Sequence, residues 1–368
     1  MKILFAGGGT AGHINPALAI ANYICKENKD TEIKFVGTNE GLEVSLIPHS
    51  GYDLELIKVH GFERKLSMGT VKTLMEIPVA VAKSKKIIKD FKPDIVVGTG
   101  GYVCGPVLYA AAKMKIPTFV HESNAFPGIT TKILSKYVDR VAVGIEAAKN
   151  YLPKCKNVVF TGNPVRPSIL ESESFAARRK LGLDSRPFIV IFGGSLGARD
   201  FNGAVADWIS KIADSEKYQI LMGTGKLNQY DKVINRLKDN GINIERYKNI
   251  TISEYIYDMD IAMNAADLVI SRAGASTLAE LTAIGKPAIL VPSPYVTDNH
   301  QEHNARAIEN GGGAKVILES ELNSDRIEKE VENIVGSSAK LADMKKASAK
   351  MGVPNSAEII YNEIMSLL

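Results

Sequence analysis

Gly7, Gly9 and Gly12 are spaced as G-x-G-x-x-G directly after the apolar run Ile3-Leu4-Phe5-Ala6, and His13 follows the last of them. Glycines at the end of a strand let backbone N–H groups come close to a phosphate, and the helix that follows offers further free N–H groups. An imidazole at that junction is placed to face a ligand. The move recurs at Phe188-Ile189-Val190-Ile191-Phe192, which runs into Gly193-Gly194-Ser195-Leu196-Gly197-Ala198. Two such starts predict two Rossmann-like halves with a phosphate-bearing ligand in the crevice between them. The glycine spacing alone would suit NAD or FAD. A dinucleotide site also wants an acid at the end of strand two to hold a ribose. That end reads Val36-Gly37-Thr38-Asn39, with Glu40 just beyond, so the acid is absent there. No G-x-x-x-x-G-K-[ST] occurs, which excludes a P-loop.

Further polar groups follow later strands. Gly98-Thr99-Gly100-Gly101-Tyr102 follows one apolar run and His121-Glu122-Ser123-Asn124 another. Ligands of open α/β sheets bind outside the carboxyl ends of the strands, so His13, Tyr102, His121, Glu122 and Asn124 are expected on one rim. Ser271-Arg272-Ala273-Gly274-Ala275-Ser276-Thr277 leads into a helix containing Glu280. Thr277 and Glu280 have the spacing of a capping box. The alternative is a Glu280 carboxylate accepting hydrogen bonds from a ribose diol beside a diphosphate on the helix start. Asp298-Asn299-His300-Gln301-Glu302-His303-Asn304 groups amides and imidazoles. His300 and His303 suggest no metal site without a third ligand, and such a turn suits sugar hydroxyls better.

The elements that must position these groups alternate. An apolar strand runs into the first glycine loop within residues 2–12, and strands are expected at 32–38, 94–98, 116–121, 140–144 and 157–161, then at 188–192, 218–222, 249–252, 268–271 and 288–292. Alternation with helices predicts parallel sheets covered on both faces. Asn15-Pro16 reads as an N-cap followed by proline at the first helical position, opening a helix to about Asn28. Thr161-Gly162-Asn163-Pro164-Val165-Arg166-Pro167 reads as the join between domains. A final helix is expected at about 355–368.

The chain has 368 residues, 45% hydrophobic and 23% charged, as for an ordinary soluble protein of two or three domains. Its 3 cysteines, Cys25, Cys104 and Cys155, form no C-x-x-C, which fits a reducing compartment. No signal peptide and no membrane-spanning stretch is read. The net charge of +4 is uneven. Residues 1–163 carry 21 Lys and Arg against 14 Asp and Glu, and the segment 58–92 alone carries 9 against 3.

Six motifs in register make the combination specific: Gly-Gly-Gly-Thr-Ala-Gly-His at 7–13, His-Glu-Ser-Asn at 121–124, Gly-Asn-Pro-Val-Arg at 162–166, Gly-Gly-Ser-x-Gly-Ala at 193–198, Arg-x-Gly-Ala-x-Thr-x-x-Glu at 272–280 and Asp-Asn-His-Gln at 298–301. The chain resembles, over essentially its whole length, the bacterial cell-wall N-acetylglucosaminyltransferases that convert lipid I to lipid II for peptidoglycan synthesis, and hence for cell shape and division. The resemblance implies a GT-B fold, two Rossmann-like doubly wound domains facing across a cleft. Residues 1–163 with a C-terminal helix of about 352–368 would bind acceptor and membrane, and 164–351 would bind UDP-N-acetylglucosamine. It implies inverting, metal-independent transfer to the C4 hydroxyl of N-acetylmuramic acid, with no cofactor. Arg166 and Ser195 would lie near the donor phosphates, with Thr10 and Gly12 also on the donor. Ile256 would offer its backbone to uracil, Ala275, Ser276 and Thr277 the helix start, Glu280 the ribose contact, and His300, Gln301 and Asn304 the sugar contacts. Tyr102 and Asn124 would face lipid I. His13 is the first candidate base and Glu122 the second. Leu196 stands where the family commonly has a polar residue, and Ala11 where it has glycine.

A lipid acceptor implies a peripheral enzyme on the cytoplasmic face of the membrane, with a cell-wall synthesis complex as a further partner and no nucleic acid. The docking surface is expected within 64–92, as a helix-loop patch because Pro78 argues against one uninterrupted helix. Lys72, Lys85 and Lys86 would ring Leu74, Met75, Ile87 and Ile88. The plainer reading is that part of this apolar set is core. The rival readings are a UDP-N-acetylglucosamine 2-epimerase, a non-catalytic nucleotide-sugar-binding protein and, third, an NAD-dependent oxidoreductase.

Overall fold

The computed structural model describes residues 1–60, 68–155 and 157–368, with the side chains of 68–75 outside the description. The chain divides into two units, 1–164 with 355–368, and 165–354.

The first unit holds a parallel sheet of seven strands. They are β1 (Lys2–Gly7), β2 (Glu32–Gly37), β3 (Asp53–Leu56), β4 (Ile95–Gly100), β5 (Thr118–Glu122), β6 (Arg140–Val143) and β7 (Val158–Phe160), ordered β3-β2-β1-β4-β5-β6-β7. Unbroken apolar runs form the central strands because helices cover both faces. Phe5, Phe35 and Phe119 fill one face with Ile14, Ile20 and Ile24 of the helix Ala11–Glu27. The final helix, Ser356–Met365, adds Ile360 and Ile364 to that cluster, and Arg140 reaches its Glu363 carbonyl at 2.9 Å.

The second unit repeats the plan with six strands. They are β8 (Phe188–Phe192), β9 (Gln219–Gly223), β10 (Ile250–Ser253), β11 (Leu268–Ser271), β12 (Ala288–Leu290) and β13 (Ala314–Val316), ordered β10-β9-β8-β11-β12-β13. Trp208 and Phe201 anchor its core from the helix Arg199–Ile212. In each sheet the order reverses beside the first strand, between β1 and β4 and between β8 and β11. Those are the switch points where crevices open.

The structure departs from the sequence expectations at four points. The edge strands β3 and β13 escaped it, because elements of four and three residues carry little periodicity. The first helix opens at Ala11, not at Pro16. Thr10 is its N-cap, and His13 and Ile14 already direct their N–H groups to the Thr10 carbonyl. Pro16 therefore sits inside the helix, where it forfeits one bond to Gly12 near the end of the element. Residues Met68–Phe91 form one helix that contains Pro78. Pro78 is exposed. Ile87 and Ile88 are buried in the core, not in any surface patch. Lys83, Lys85, Lys86 and Lys89 are exposed on the same helix, and Val79 is 68% exposed. The side chains of Lys72, Leu74 and Met75, and residues 64 and 65, lie outside the described residues.

Candidate active site

In the first unit, His13 stands in the first turn of its helix at the β1/β4 switch point. Its Nδ1 lies 3.0 Å from the Gly8 carbonyl oxygen, with Thr10 Oγ1 at 3.4 Å. A carbonyl can only accept, so Nδ1 carries the hydrogen and the neutral ring keeps its lone pair on Nε2. Gly100, with φ +113°, packs against this ring. A Cβ there would approach His13 Cδ2 to 2.5 Å. Thr99, buried at the end of β4, donates its hydroxyl to the His13 carbonyl at 2.8 Å. The loop after β1 and the end of β4 thus hold His13.

Glu122 closes β5 and is nearly buried. Its carboxylate accepts from the Asn124 N–H at 3.1 Å, Asn124 Nδ2 at 3.3 Å, the Gly128 N–H at 3.1 Å and Thr131 Oγ1 at 2.7 Å. Those bonds shape loop 123–128 and start the helix Ile129–Leu134. Tyr102 is 51% exposed beyond β4. His121, expected on the rim, is fully buried. β5 continues through Glu122, so His121 stays within the sheet, with Nε2 3.1 Å from the Gly162 carbonyl oxygen. Burial pushes its pKa down and keeps it neutral.

In the second unit a cavity of about 470 Å³ opens at the β8/β11 switch point. Its walls include Gly193, Gly194 and Gly197 of the glycine loop, Gly274 and Thr277 at the next helix start, and Ser293, Tyr295 and Gln301. Arg272 and Glu319 also line it. They form an ion pair that is almost wholly buried, and Arg272 holds the Val291 and Pro292 carbonyls at 3.2 Å each. This pair fixes the loop after β12 against the helix start. Gln301 Oε1 accepts the Ser293 N–H at 2.9 Å. Asp298 and Asn299 both adopt left-handed backbone, φ +54° and +50°. Such consecutive strain in non-glycine residues recurs at ligand-binding turns.

Thr277 and Glu280 do not form a capping box. The helix Ala275–Ala283 has Gly274 as its N-cap, which puts Thr277 at N3 and Glu280 beyond the first turn. Glu280 is instead clamped by Arg166, Nε to Oε1 at 2.5 Å and Nη2 to Oε2 at 2.9 Å.

The N-terminal and C-terminal domain models of glycosyltransferase family 28 match residues 3–143 and 188–360. A transferase of Acetivibrio thermocellus, UDP-N-acetylglucosamine–N-acetylmuramyl-(pentapeptide) pyrophosphoryl-undecaprenol N-acetylglucosamine transferase, is 50% identical over 100% of this chain and 98% of its own. The chain belongs to this family of glycosyltransferases. The crystal structure of Acinetobacter baumannii MurG superposes with a TM-score of 0.80 at 26% identity, over 99% of both chains. A UDP-GlcNAc 2-epimerase from Neisseria meningitidis bound to UDP-GlcNAc gives 0.67 at 15% identity, over 100% of both, which is a likeness of fold alone. The fold is therefore GT-B, built from two Rossmann-like domains.

For a family 28 enzyme, the second unit gathers Thr277 and Gln301 on one cavity, with Ser195 on the adjoining loop and Ala275 and Ser276 in the same helix start. His300 opens the next helix, its Nδ1 2.8 Å from the Thr297 carbonyl oxygen. Asn304 is fully buried and donates to the Ala273 carbonyl at 3.3 Å. Ile256 is buried against Gly223 at the end of β9. Thr10 and Gly12 lie in the first unit beside His13. Two groups carry no signal in the sequence. Glu319 is 47 residues from Arg272, with no motif linking them. Glu43 is a fully buried carboxylate under the first glycine loop.

Proposed function

We infer that this chain transfers N-acetylglucosamine from UDP-N-acetylglucosamine to the C4 hydroxyl of N-acetylmuramic acid in lipid I, forming lipid II with inversion. Full-length identity of 50% to a transferase of that name supports the substrates. The observation that carries the mechanism is the His13 tautomer, with Nδ1 committed to the Gly8 carbonyl and Nε2 left to accept a proton. A sugar hydroxyl needs such a base as it attacks the anomeric carbon. Glu122 has both oxygens engaged by the loop it shapes, so it serves as scaffold for the acceptor side with Asn124 and Tyr102. On the donor side, charge develops on the departing diphosphate. Backbone N–H groups of the glycine loop after β8 and of the helix start at Ala275 are proposed to stabilise that charge. Arg166 and Glu280 are already paired, so donor binding places ribose hydroxyls on a carboxylate that shares its acceptor capacity with a guanidinium.

The reaction is proposed to need no metal and no cofactor. Docking is proposed through the exposed lysines of the helix Met68–Phe91 on an anionic bilayer at the cytoplasmic face, beside other cell-wall enzymes. Among the described residues no helix is long and apolar enough to cross a membrane.

The deciding experiment incubates the protein with UDP-N-acetylglucosamine, with and without a soluble lipid I analogue. A transferase releases UDP only with acceptor. An epimerase isomerises the donor without acceptor, and a binding protein does neither. His13→Ala is expected to depress turnover by on the order of 10²–10⁴ while donor affinity stays within about twofold. Full turnover in that variant removes His13 as base.

A further inference from the structure

Glu43 is fully buried at the start of the helix Glu43–His49, beneath the loop that carries His13. Its Oε2 accepts the Gly9 N–H at 2.8 Å. Its Oε1 accepts the Thr38 N–H at 2.9 Å and the Thr38 hydroxyl at 2.7 Å. The loop backbone closes on the carboxylate so tightly that a Cβ on Gly8 would lie 2.3 Å from Oε1. Burial opposes the charge, yet these donors outweigh it and hold the carboxyl below its ordinary range.

The Gly9 N–H and the Gly8 carbonyl belong to one peptide group. Glu43 holds its N–H end, and His13 Nδ1 donates to its C=O end at 3.0 Å. We propose that Glu43 is a positioning residue for His13, acting through the Gly8–Gly9 peptide as the buried carboxylate of a Ser-His-Asp triad acts directly on its imidazole. The physical basis is twofold. The carboxylate fixes the plane of the peptide, and so the direction of the oxygen that selects the His13 tautomer. A carboxylate on the N–H also polarises the amide, which strengthens the bond its carbonyl accepts. As positive charge develops on the imidazole during proton abstraction, the negative charge lies one peptide group away, shielded from water.

This inference rests on the reading of His13 as base, and the test separates the two. Long-range ¹H–¹⁵N spectra of histidine-labelled protein, with His13 assigned by His13→Gln, report which ring nitrogen carries hydrogen without reference to turnover. In the wild type the Nδ1–H form should predominate. Glu43→Gln cannot accept from both Thr38 and Gly9, and the His13 signal should shift to mixed or Nε2–H character. In the same variant kcat should fall by about 10²-fold, as for a base displaced from its productive geometry, with KM for UDP-N-acetylglucosamine within about twofold. Thr38→Val, which deletes one of the three bonds and keeps the charge, should shift both readings in the same direction by less. An unchanged tautomer in a folded Glu43→Gln protein overturns the proposal. So does an equal loss in kcat and donor affinity, the mark of a general structural defect. If Glu43→Gln does not fold, an unchanged tautomer and kcat in Thr38→Val overturns it instead. A shifted tautomer with undiminished kcat upholds the orientation by Glu43 and rejects His13 as base.

Discussion

Glu280 is a carboxylate held by a half-exposed guanidinium, and that arrangement makes two roles separable. If it receives the ribose hydroxyls, Glu280→Ala should weaken donor binding by about 1.5–3 kcal/mol, the worth of hydrogen bonds to a charged group. Titration calorimetry with UDP-N-acetylglucosamine reads this directly. A fall in Tm with unchanged donor affinity would assign Glu280 to the pairing with Arg166 alone. Lys286 is a different kind of residue. It is 6% exposed, and its Nζ donates to the Asn264 and Ala266 carbonyls at 2.6 and 2.9 Å. Burial pushes its pKa down from 10.5 to about 8. The unfolded chain therefore binds more protons than the native one between those values, so the Lys286 contribution rises with pH across that window. Below about pH 8 the cost of burying its charge is present in full. Urea unfolding of wild type and Lys286→Met should show a stability difference that shifts in favour of wild type from pH 7.5 to 9.5. The ceiling is on the order of 3 kcal/mol. A difference flat in pH refutes the shifted lysine.

The helix Met68–Phe91 shows how one element divides its duties. Ala80, Ser84, Ile87, Ile88 and Phe91 are buried, while Lys83, Lys85, Lys86 and Lys89 face outward. Ile87 and Ile88, which the sequence offered as part of a membrane surface, thus belong to the packing face that secures the helix to its sheet. The exposed lysines are proposed to meet phospholipid headgroups. Each basic residue close to an anionic bilayer contributes about 1 kcal/mol, screened by salt. Liposome co-sedimentation should show binding that needs anionic lipid and falls with salt. It should fall by more than tenfold in Lys85→Glu/Lys86→Glu. Equal binding to neutral and anionic vesicles would reject this surface and leave the transferase reading intact.

At the scale of the whole molecule, each domain has a rim at its own switch point, and the proposed chemistry uses an imidazole and backbone N–H groups alone. Among the described residues no group of three His, Cys, Asp or Glu side chains could hold a metal ion. Turnover is expected to survive an excess of chelator. Complete inhibition reversed by a divalent cation would sink metal-independent transfer.

Alternating apolar runs and helical stretches determined the doubly wound architecture, because a strand covered on both faces must be apolar throughout and reads so without its neighbours. Glycine loops after β1 and β8 determined where ligands could approach, and six motifs in order determined the family. Tertiary structure decided which polar residues stand at those rims. His13 and His121 look alike in sequence. One extra strand residue keeps His121 inside the sheet, while the early start of the first helix brings His13 to the rim. Glu43 gave no signal because its partner Gly9 is 34 residues away and the two meet only when β1 and β2 pair. The Arg166–Glu280 pair spans 114 residues. Periodicity is local and so survives in the sequence. A hydrogen bond between distant segments exists only once the sheet has set the distance between them.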